Sequence, residues 1–436
     1  MAWADESKYA KECEQKGYKY DYKKADKVCR FFENLTCTYG KFAGQKLKLL
    51  EWQEPILRKT FGTVYKDSGL RVIRKVYVRI AKKNGKTELA GGLALYMLTA
   101  DGENTARIYT AAADKEQAGL VYESSAQMVR NSKALSGKNR TKIIDSVKRI
   151  VYFPTASYLK VLSSDATTKE GLNISCVILD ELHAHYGRKL FEVLTVGTGA
   201  AREQQLIFII TTAGYDKESV CYEEDCYAKE VLKGVIRDDA YLPVIYEMDE
   251  KDDWQDENNW YKANPSLGYT IKIEDMRKEF EEAKQIPARQ NKFRQYRLNQ
   301  WTQQANRWID LELWNKQGGT VIEEKLIGRQ CCGGLDLSAV SDLTAWVLVF
   351  ENDDETIDVL CRFWCPESRL HDPKNRYKES YQQWANNGYL TTTPGDAIDY
   401  AYIKKQKPDV SGQGMYGTGD RYRPYYPPAV GRPEYR

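Results

Sequence analysis

The sequence predicts an α/β protein built on a doubly wound, mainly parallel sheet that carries a phosphate-binding loop. Three stretches predict it. Val76-Tyr-Val-Arg-Ile-Ala-Lys-Lys-Asn-Gly-Lys-Thr87 reads as a strand, a tight loop and a helix start. Ile174-Ser-Cys-Val-Ile-Leu-Asp180-Glu181 is an apolar run closed by two acids, and Gln205-Leu-Ile-Phe-Ile-Ile-Thr211-Thr212-Ala-Gly214 is one closed by hydroxyls and glycine. Short apolar runs of this kind suit strands buried on both faces of a parallel sheet. In open α/β sheets, ligands bind beyond the C-terminal ends of such strands.

Taken in order, residues 1–40 are rich in Lys and Glu with helical patterning, as in an N-terminal helical arm. Residues 41–245 alternate strands with helices, the mark of a doubly wound sheet. Within them, Asn84, Gly85, Lys86 and Thr87 form the loop. Backbone amides at a helix N-terminus cradle phosphates, a lysine reaches the terminal phosphates and a Thr hydroxyl holds Mg²⁺. The usual pattern wants glycine at position 80 and this chain has Ile80; a lysine-rich strand-to-helix turn without a ligand fits the same residues. The helix after the loop is expected over 85–99, with Leu89, Leu93 and Leu95 buried. Asp180 is placed to hold Mg²⁺ through water and Glu181 to polarise an attacking water; an acidic pair that merely closes a core strand reads alike. Thr211 and Thr212 can sense a terminal phosphate and pass on its loss, or simply form a turn. Leu242 to Glu247 reads as a closing strand, with Pro243 suited to an edge. Residues 246–325 are read as a linker or lid. They hold a charged helix over 273–286 and a basic one over 287–300, with Arg289, Lys292, Arg294 and Arg297 either solvated or facing nucleic acid. Three further apolar strands follow from Gln330, and residues 408–436, dominated by Gly, Pro, Tyr and Arg without periodicity, read as irregular or disordered.

At 436 residues the chain is long enough for two domains with real cores. No apolar run approaches the roughly 20 residues that span a bilayer, and the first residues lack the apolar centre of a signal peptide. A soluble protein of the host cytoplasm, with no membrane partner, is therefore expected. Net charge is only +3, from 65 basic and 62 acidic residues, which neither demands nor excludes nucleic acid. Cys221 and Cys226, and Cys361 and Cys365, are close but lack CxxC spacing, and the histidines are His183, His185 and His371. Reduced buried thiols fit better than a zinc site.

Further segments accompany the three motifs: Glu51-Trp52-Gln53, the run from Tyr109 to Ala118, Gly171-Leu-Asn, Trp260 through Asn264-Pro265-Ser-Leu-Gly, Asn299-Gln300-Trp301, and Gly334-Leu-Asp336 through Asp342. In this order, over residues 25–405, the chain resembles the large terminase subunit of tailed bacteriophages, the motor that packages DNA. The resemblance implies a P-loop ATPase domain over 41–245 that uses ATP and Mg²⁺. Trp52, Gln53, Asn84, Gly85, Lys86, Thr87 and Asp180 would bind the nucleotide. Glu181, Lys86 and Lys82 would act in catalysis, Lys82 standing where many terminases have arginine. Arg79, Arg130 and Arg202 remain open as finger candidates, and Thr211 and Thr212 would couple. It also implies an RNase H-like nuclease over 326–407 with Mg²⁺ or Mn²⁺ at Asp336 and Asp342. The carboxylates of later strands are not found, and Asp396 and Asp399 lack a strand signal. The nuclease therefore reads as incomplete, and cleavage by this chain alone is not expected. Implied partners are double-stranded DNA, a portal protein, a small terminase subunit and further copies in a homo-oligomeric ring. A helicase-like P-loop ATPase without nuclease ancestry and a non-catalytic truncated prophage remnant stay open as alternatives.

Overall fold

The computed structural model describes residues 3, 5–112, 115–162, 171–184, 188–196, 202–302, 316–338, 342–372, 375, 377–399 and 403; the segment read as irregular, 408–436, lies outside them. The chain divides into two compact units, Met1–Leu311 and Glu312–Arg436.

The first unit opens with α1 (Glu6–Gln15), β1 (Lys19–Tyr20), α2 (Tyr22–Glu33), α3 (Gln53–Gly62) and β2 (Thr63–Val64). Its main sheet contains β3 (Lys75–Arg79), β4 (Arg107–Ala111), β5 (Thr141–Ile144), β6 (Arg149–Tyr152), β7 (Ser157–Val161), β8 (Cys176–Asp180), β9 (Leu206–Thr211) and β10 (Tyr241–Ile245). Among the described residues the order is β10-β3-β9-β8-β4-β7-β6-β5. The strands run parallel from β10 to β7, and β6 and β5 extend the sheet antiparallel. β10 stands at the edge, where Pro243 costs no ladder hydrogen bond. The strands that carry the three motifs, β3, β9 and β8, are immediate neighbours, with β9 in the middle.

The helices α4 (Lys86–Thr99), α5 (Lys115–Asn131), α6 (Arg188–Thr195) and α7 (Val220–Leu232) cover this sheet. α4 is apolar all round and buried from Leu89 to Leu98, as befits a helix enclosed on every side. Its two glycines permit that enclosure. A Cβ on Gly92 would lie 2.4 Å from the ring of Phe32 in α2, and one on Gly91 would lie 2.9 Å from Ser124 Oγ in α5. α2 is thus part of the core: Val28 and Phe32 are fully buried and cluster with Leu89 and Leu93.

Residues 248–298 build a small core of their own. It holds α8 (Glu257–Ala263), α9 (Ile273–Gln285) and α10 (Pro287–Tyr296). Trp260 is fully buried, with ring contacts to Phe280 and Phe293, and Trp254 meets the same two rings. Most of the basic pattern of α10 is used internally. Arg289 pairs with Glu282, Arg297 with Glu279, and Arg294 lies 5.0 Å from the ring of Trp254.

The second unit holds a mixed sheet of β11 (Cys332–Asp336), β12 (Thr344–Glu351), β13 (Ile357–Pro366) and β14 (Thr391–Thr393), in that order, with α11 (Lys378–Asn386) packed nearby through Tyr381. β14 is parallel to β13 and was not foreseen; three threonines before a Gly-Asp turn carry little apolar signal. Five of the cysteines are buried, while Cys226, Cys331 and Cys332 are exposed, so the expectation of buried thiols fails for these three.

A buried ion-pair network around Arg79 ties the first unit together beneath the phosphate loop. Arg79 ends β3 with no exposed surface, and its guanidinium binds Asp225 of α7, Glu247 (2.6 Å) and the carbonyl oxygen of Asn299 (2.6 Å). Asp225 also accepts from Tyr77 Oη (3.2 Å) and Trp301 Nε1 (2.9 Å). Removing one partner of a buried pair strands the other charge. Asp225→Ala is therefore expected to lower unfolding free energy by about 3–5 kcal/mol, read from a denaturant titration; an unchanged midpoint would show that Glu247 alone suffices as the counter-charge of Arg79.

Candidate active site

The loop after β3 turns through Lys83 at φ 69° and Gly85 at φ 94°. Gly85 is required there, because an L side chain is strained in that region and a Cβ would approach Gln53 Nε2 at 3.3 Å. Gly85 caps α4 without any side-chain hydrogen bond, so the first amides of the helix face the cleft as anion donors. Ile80, in place of the expected glycine, prolongs the strand: its N–H donates to Thr211 O (3.0 Å) and its side chain is fully buried.

Around this loop opens a cleft of about 760 Å³, lined by Lys82, Lys83, Gly85, Lys86, Thr87 and Glu181 among others. Lys86 Nζ lies 3.1 Å from Glu181 Oε1 and donates to Thr212 Oγ1. Thr212 Oγ1 is in turn 3.3 Å from Glu181 Oε2. The loop lysine, the second acid and the Thr212 hydroxyl thus converge from three adjacent strands. Glu181 sits at φ 52°, a left-handed conformation unfavourable for a side chain of this size, and its N–H donates to Ile210 O (2.9 Å).

The two acids differ in electrostatics. Burial pushes the Asp180 carboxyl well up, the neighbouring Glu181 adds to that, and Lys86 opposes it. Burial also opposes ionisation of Glu181, but Lys86 and then His183 outweigh it and hold its carboxyl well below the usual range. Adjacent carboxyls pushed apart in this way suit different tasks.

The predicted residues do not all reach the cleft. Trp52 is buried and its indole N–H donates to Ser266 Oγ (3.0 Å). Gln53 instead faces the loop, with Nε2 3.4 Å from Gly85 O, in a narrow recess lined by Phe42, Leu47, Leu50 and Tyr269. Trp52 precedes α3 and turns to Ser266, while Gln53, the first residue of the helix, turns to the loop. The side chain of Asn84 is fully buried and spent on bracing. Nδ2 donates to Asn264 Oδ1 (3.1 Å), and Oδ1 accepts from Ser266 N (3.1 Å). Ser266 Oγ and Thr270 Oγ1 donate to the loop carbonyls of Asn84 (3.1 Å) and Lys83 (2.8 Å). Of the finger candidates, Arg79 is buried in its ion pairs and cannot reach a phosphate. Arg202 is held by Glu103 (2.9 Å) and Asn173, and Arg130 pairs with Asp145 at 2.9 Å. In the second unit, Asp336 ends an exposed edge strand and Asp342 is exposed. Among the described residues, no group of three or more His, Cys, Asp or Glu side chains is gathered as a metal site.

Sequence reasoning missed His183. Its Nδ1 is 3.2 Å from Glu181 Oε2 and 3.2 Å from Thr211 Oγ1, and its N–H donates to the same hydroxyl (3.1 Å). The signal in the sequence is an imidazole two residues after the acid.

Fold and site together define a P-loop ATPase joined to a smaller α/β unit. The family description "Terminase large subunit, ATPase domain" matches residues 51–230, and "Terminase large subunit, endonuclease domain" matches residues 235–407. The large terminase subunit of Enterobacteria phage HK97 is 29% identical over 384 residues, 87% of this chain and 73% of its own. The crystal structure of that phage's large terminase superposes with a TM-score of 0.55 at 27% identity, covering 87% of this chain and 76% of the other. Protein YmfN of Escherichia coli K12 is 32% identical over 246 residues, 54% of each chain. The chain belongs to the large terminase subunits, the ATP-driven motor subunits that package viral DNA. The endonuclease-domain match removes the alternative of a motor without nuclease ancestry.

His183→Ala would remove one of the groups that fix the Glu181 carboxylate. It is expected to lower kcat for ATP by about tenfold with KM little changed, the mark of a contact that acts on the transition state. Steady-state phosphate release decides; a rise in KM alone would assign His183 to nucleotide binding.

Proposed function

We propose that the first unit binds ATP with Mg²⁺ in the cleft around Gly85 and hydrolyses it to drive double-stranded DNA into a procapsid. The observation that carries this reading is the convergence of Lys86, Glu181 and Thr212 at uncapped helix amides, at the ends of three adjacent parallel strands. Phosphoryl transfer needs positioning and charge neutralisation more than covalent chemistry. The α4 amides and Lys86 would hold the phosphates. Thr87 and Asp180 offer hydroxyl and carboxylate oxygens, a donor set that suits Mg²⁺. When bound, the ion would supply positive charge to offset that of the phosphates. Glu181, ionised and fixed between Lys86 and His183, would orient the attacking water. Lys82 would bring positive charge to the transition state, and Thr211 and Thr212 would report the loss of the terminal phosphate. Gln53, in its recess beside Gly85, would read the base.

In this proposal the chain works in the host cytoplasm as one subunit of a homo-oligomeric ring on a portal protein, with a small terminase subunit presenting the DNA. Residues 41–245 serve as ATPase domain and residues 326–407 as the nuclease part, where Asp336 and Asp342 would contribute to a Mg²⁺ or Mn²⁺ site. No helix among the described residues is long and apolar enough to cross a membrane.

Lys86→Ala is expected to abolish ATP hydrolysis, because no other cation stands at the same point. Glu181→Gln should bind nucleotide as the parent does while turnover falls by about 10²–10⁴, the usual cost of losing a general acid or base. Nucleotide titration alongside phosphate release separates the two. An unchanged rate in Lys86→Ala would sink the assignment of the site, and joint loss of binding and turnover in Glu181→Gln would make Glu181 structural.

A further inference from the structure

Lys82 lies four residues before Lys86 and lines the cleft with it. A lysine is a point charge on a flexible stem, and unlike arginine it has no planar fork to fix it. Something else must hold it. Its ammonium lies 3.7 Å from the ring centroid of Tyr296, within the range of a cation–π contact, and its backbone N–H donates to Tyr296 O (2.9 Å). One residue therefore grips Lys82 at both ends.

Tyr296 is the last residue of α10, more than 200 positions away in sequence, and the segment that carries it is fixed to the coupling turn. Gln295 Nε2 donates to Ala213 O (3.0 Å), and Ala213 N donates to Asn299 Oδ1 (2.8 Å). The ring of Trp301 lies so close to Gly214 that a Cβ there would approach it at 2.8 Å. Asn299 is fully buried at φ 55°, so this arrangement is held against backbone strain. Thr211–Gly214 and Lys82 are thus joined through one short stretch of chain.

We infer that Tyr296 is a positioning residue for Lys82, and that it carries the state of the coupling turn to the charge Lys82 presents to the phosphates. The inference rests on the ATPase reading of the cleft. The ring face, and not the hydroxyl, does the holding. Fixing the ammonium before reaction is what a preorganised charge requires.

A double-mutant cycle on the full chain tests it, with phosphate release as readout. Tyr296→Leu is expected to lower kcat about tenfold with KM for ATP within about twofold, while Tyr296→Phe stays within about twofold of the parent (a cation–π contact of ordinary strength). Lys82→Met should lower kcat at least as far, and adding Tyr296→Leu to it should cost nothing more, because coupled residues are not additive. Pentafluorophenylalanine at position 296 keeps the shape of a ring but reverses its face charge. It should lower kcat as Leu does, which a purely structural role would not, and it serves if the Leu variant fails to fold. Multiplicative losses in the cycle, or an active fluorinated variant, would overturn the inference. A Lys82→Met variant of undiminished kcat would also overturn it, while a parent without ATP hydrolysis would instead overturn the reading of the cleft.

Discussion

A guanidinium buried directly under the phosphate loop is the constraint on which the first unit depends. Arg79 has no exposed surface, and its charge is matched by Asp225 from α7 and Glu247 from beyond β10. Burying ions costs several kcal/mol each unless geometry and further hydrogen bonds compensate. Here they do, because Tyr77, Trp301 and the carbonyl of Asn299 complete the network. A hydrophobic cluster could supply stability as well. What it could not supply is direction: these bonds admit one placement of the chain near Asn299 relative to the end of β3, and hence of everything attached to it.

From that anchor the site follows. Three neighbouring parallel strands end at one level, and each delivers a side chain with a different charge or donor role. The cleft is lined by charged side chains, yet its loop is not floppy. Asn84, Asn264, Ser266, Thr270 and Trp52 form a nearly closed set of hydrogen bonds behind it. A network of this kind rigidifies when every member is satisfied and is costly when one is lost. The loop's amides are thereby held facing the cleft before any phosphate arrives, which is what makes preorganised dipoles effective. Glu181 follows the same logic through strain: a left-handed glutamate persists only because Lys86, His183 and its own N–H define its place.

The parts legible in sequence were those encoded locally. β3, α4, β8 and β9 are short, strongly apolar or periodic segments, and their terminal Lys86, Asp180, Glu181, Thr211 and Thr212 are adjacent in sequence to the strands that carry them. The family resemblance was legible for the same reason. Roles set by distant partners were not. Asn84 looks like a phosphate-loop residue until Asn264 and Ser266, about 180 positions on, take its amide. Arg79 looks like a free cation near a nucleotide until Asp225 takes it. Trp52 and Gln53 read as one motif, but Trp52, at the cap before α3, bonds Ser266 while Gln53 bonds the loop at Gly85. Nor could β14 be read, because its threonines gain strand structure by pairing with β13 and not from their own pattern.

The stretch read as a linker or lid shows why such contacts matter for the motor. Residues 248–298 bury Trp260, Met276, Phe280, Phe293 and Leu298 in a core of their own. A true linker orders nothing and transmits little, since its free energy is spread over many conformations. A packed element has few arrangements and passes displacement on as a unit. Its loop at Asn264–Ser266 braces the phosphate loop, and the end of α10 holds Lys82 while the chain just beyond holds the turn at Thr211–Gly214. The same small body therefore touches both sides of the nucleotide site. Any change in that turn that shifts Ala213 must either break its bonds to Gln295 and Asn299 or move this body with it. The second course lets a local event at the phosphates become a motion larger than itself.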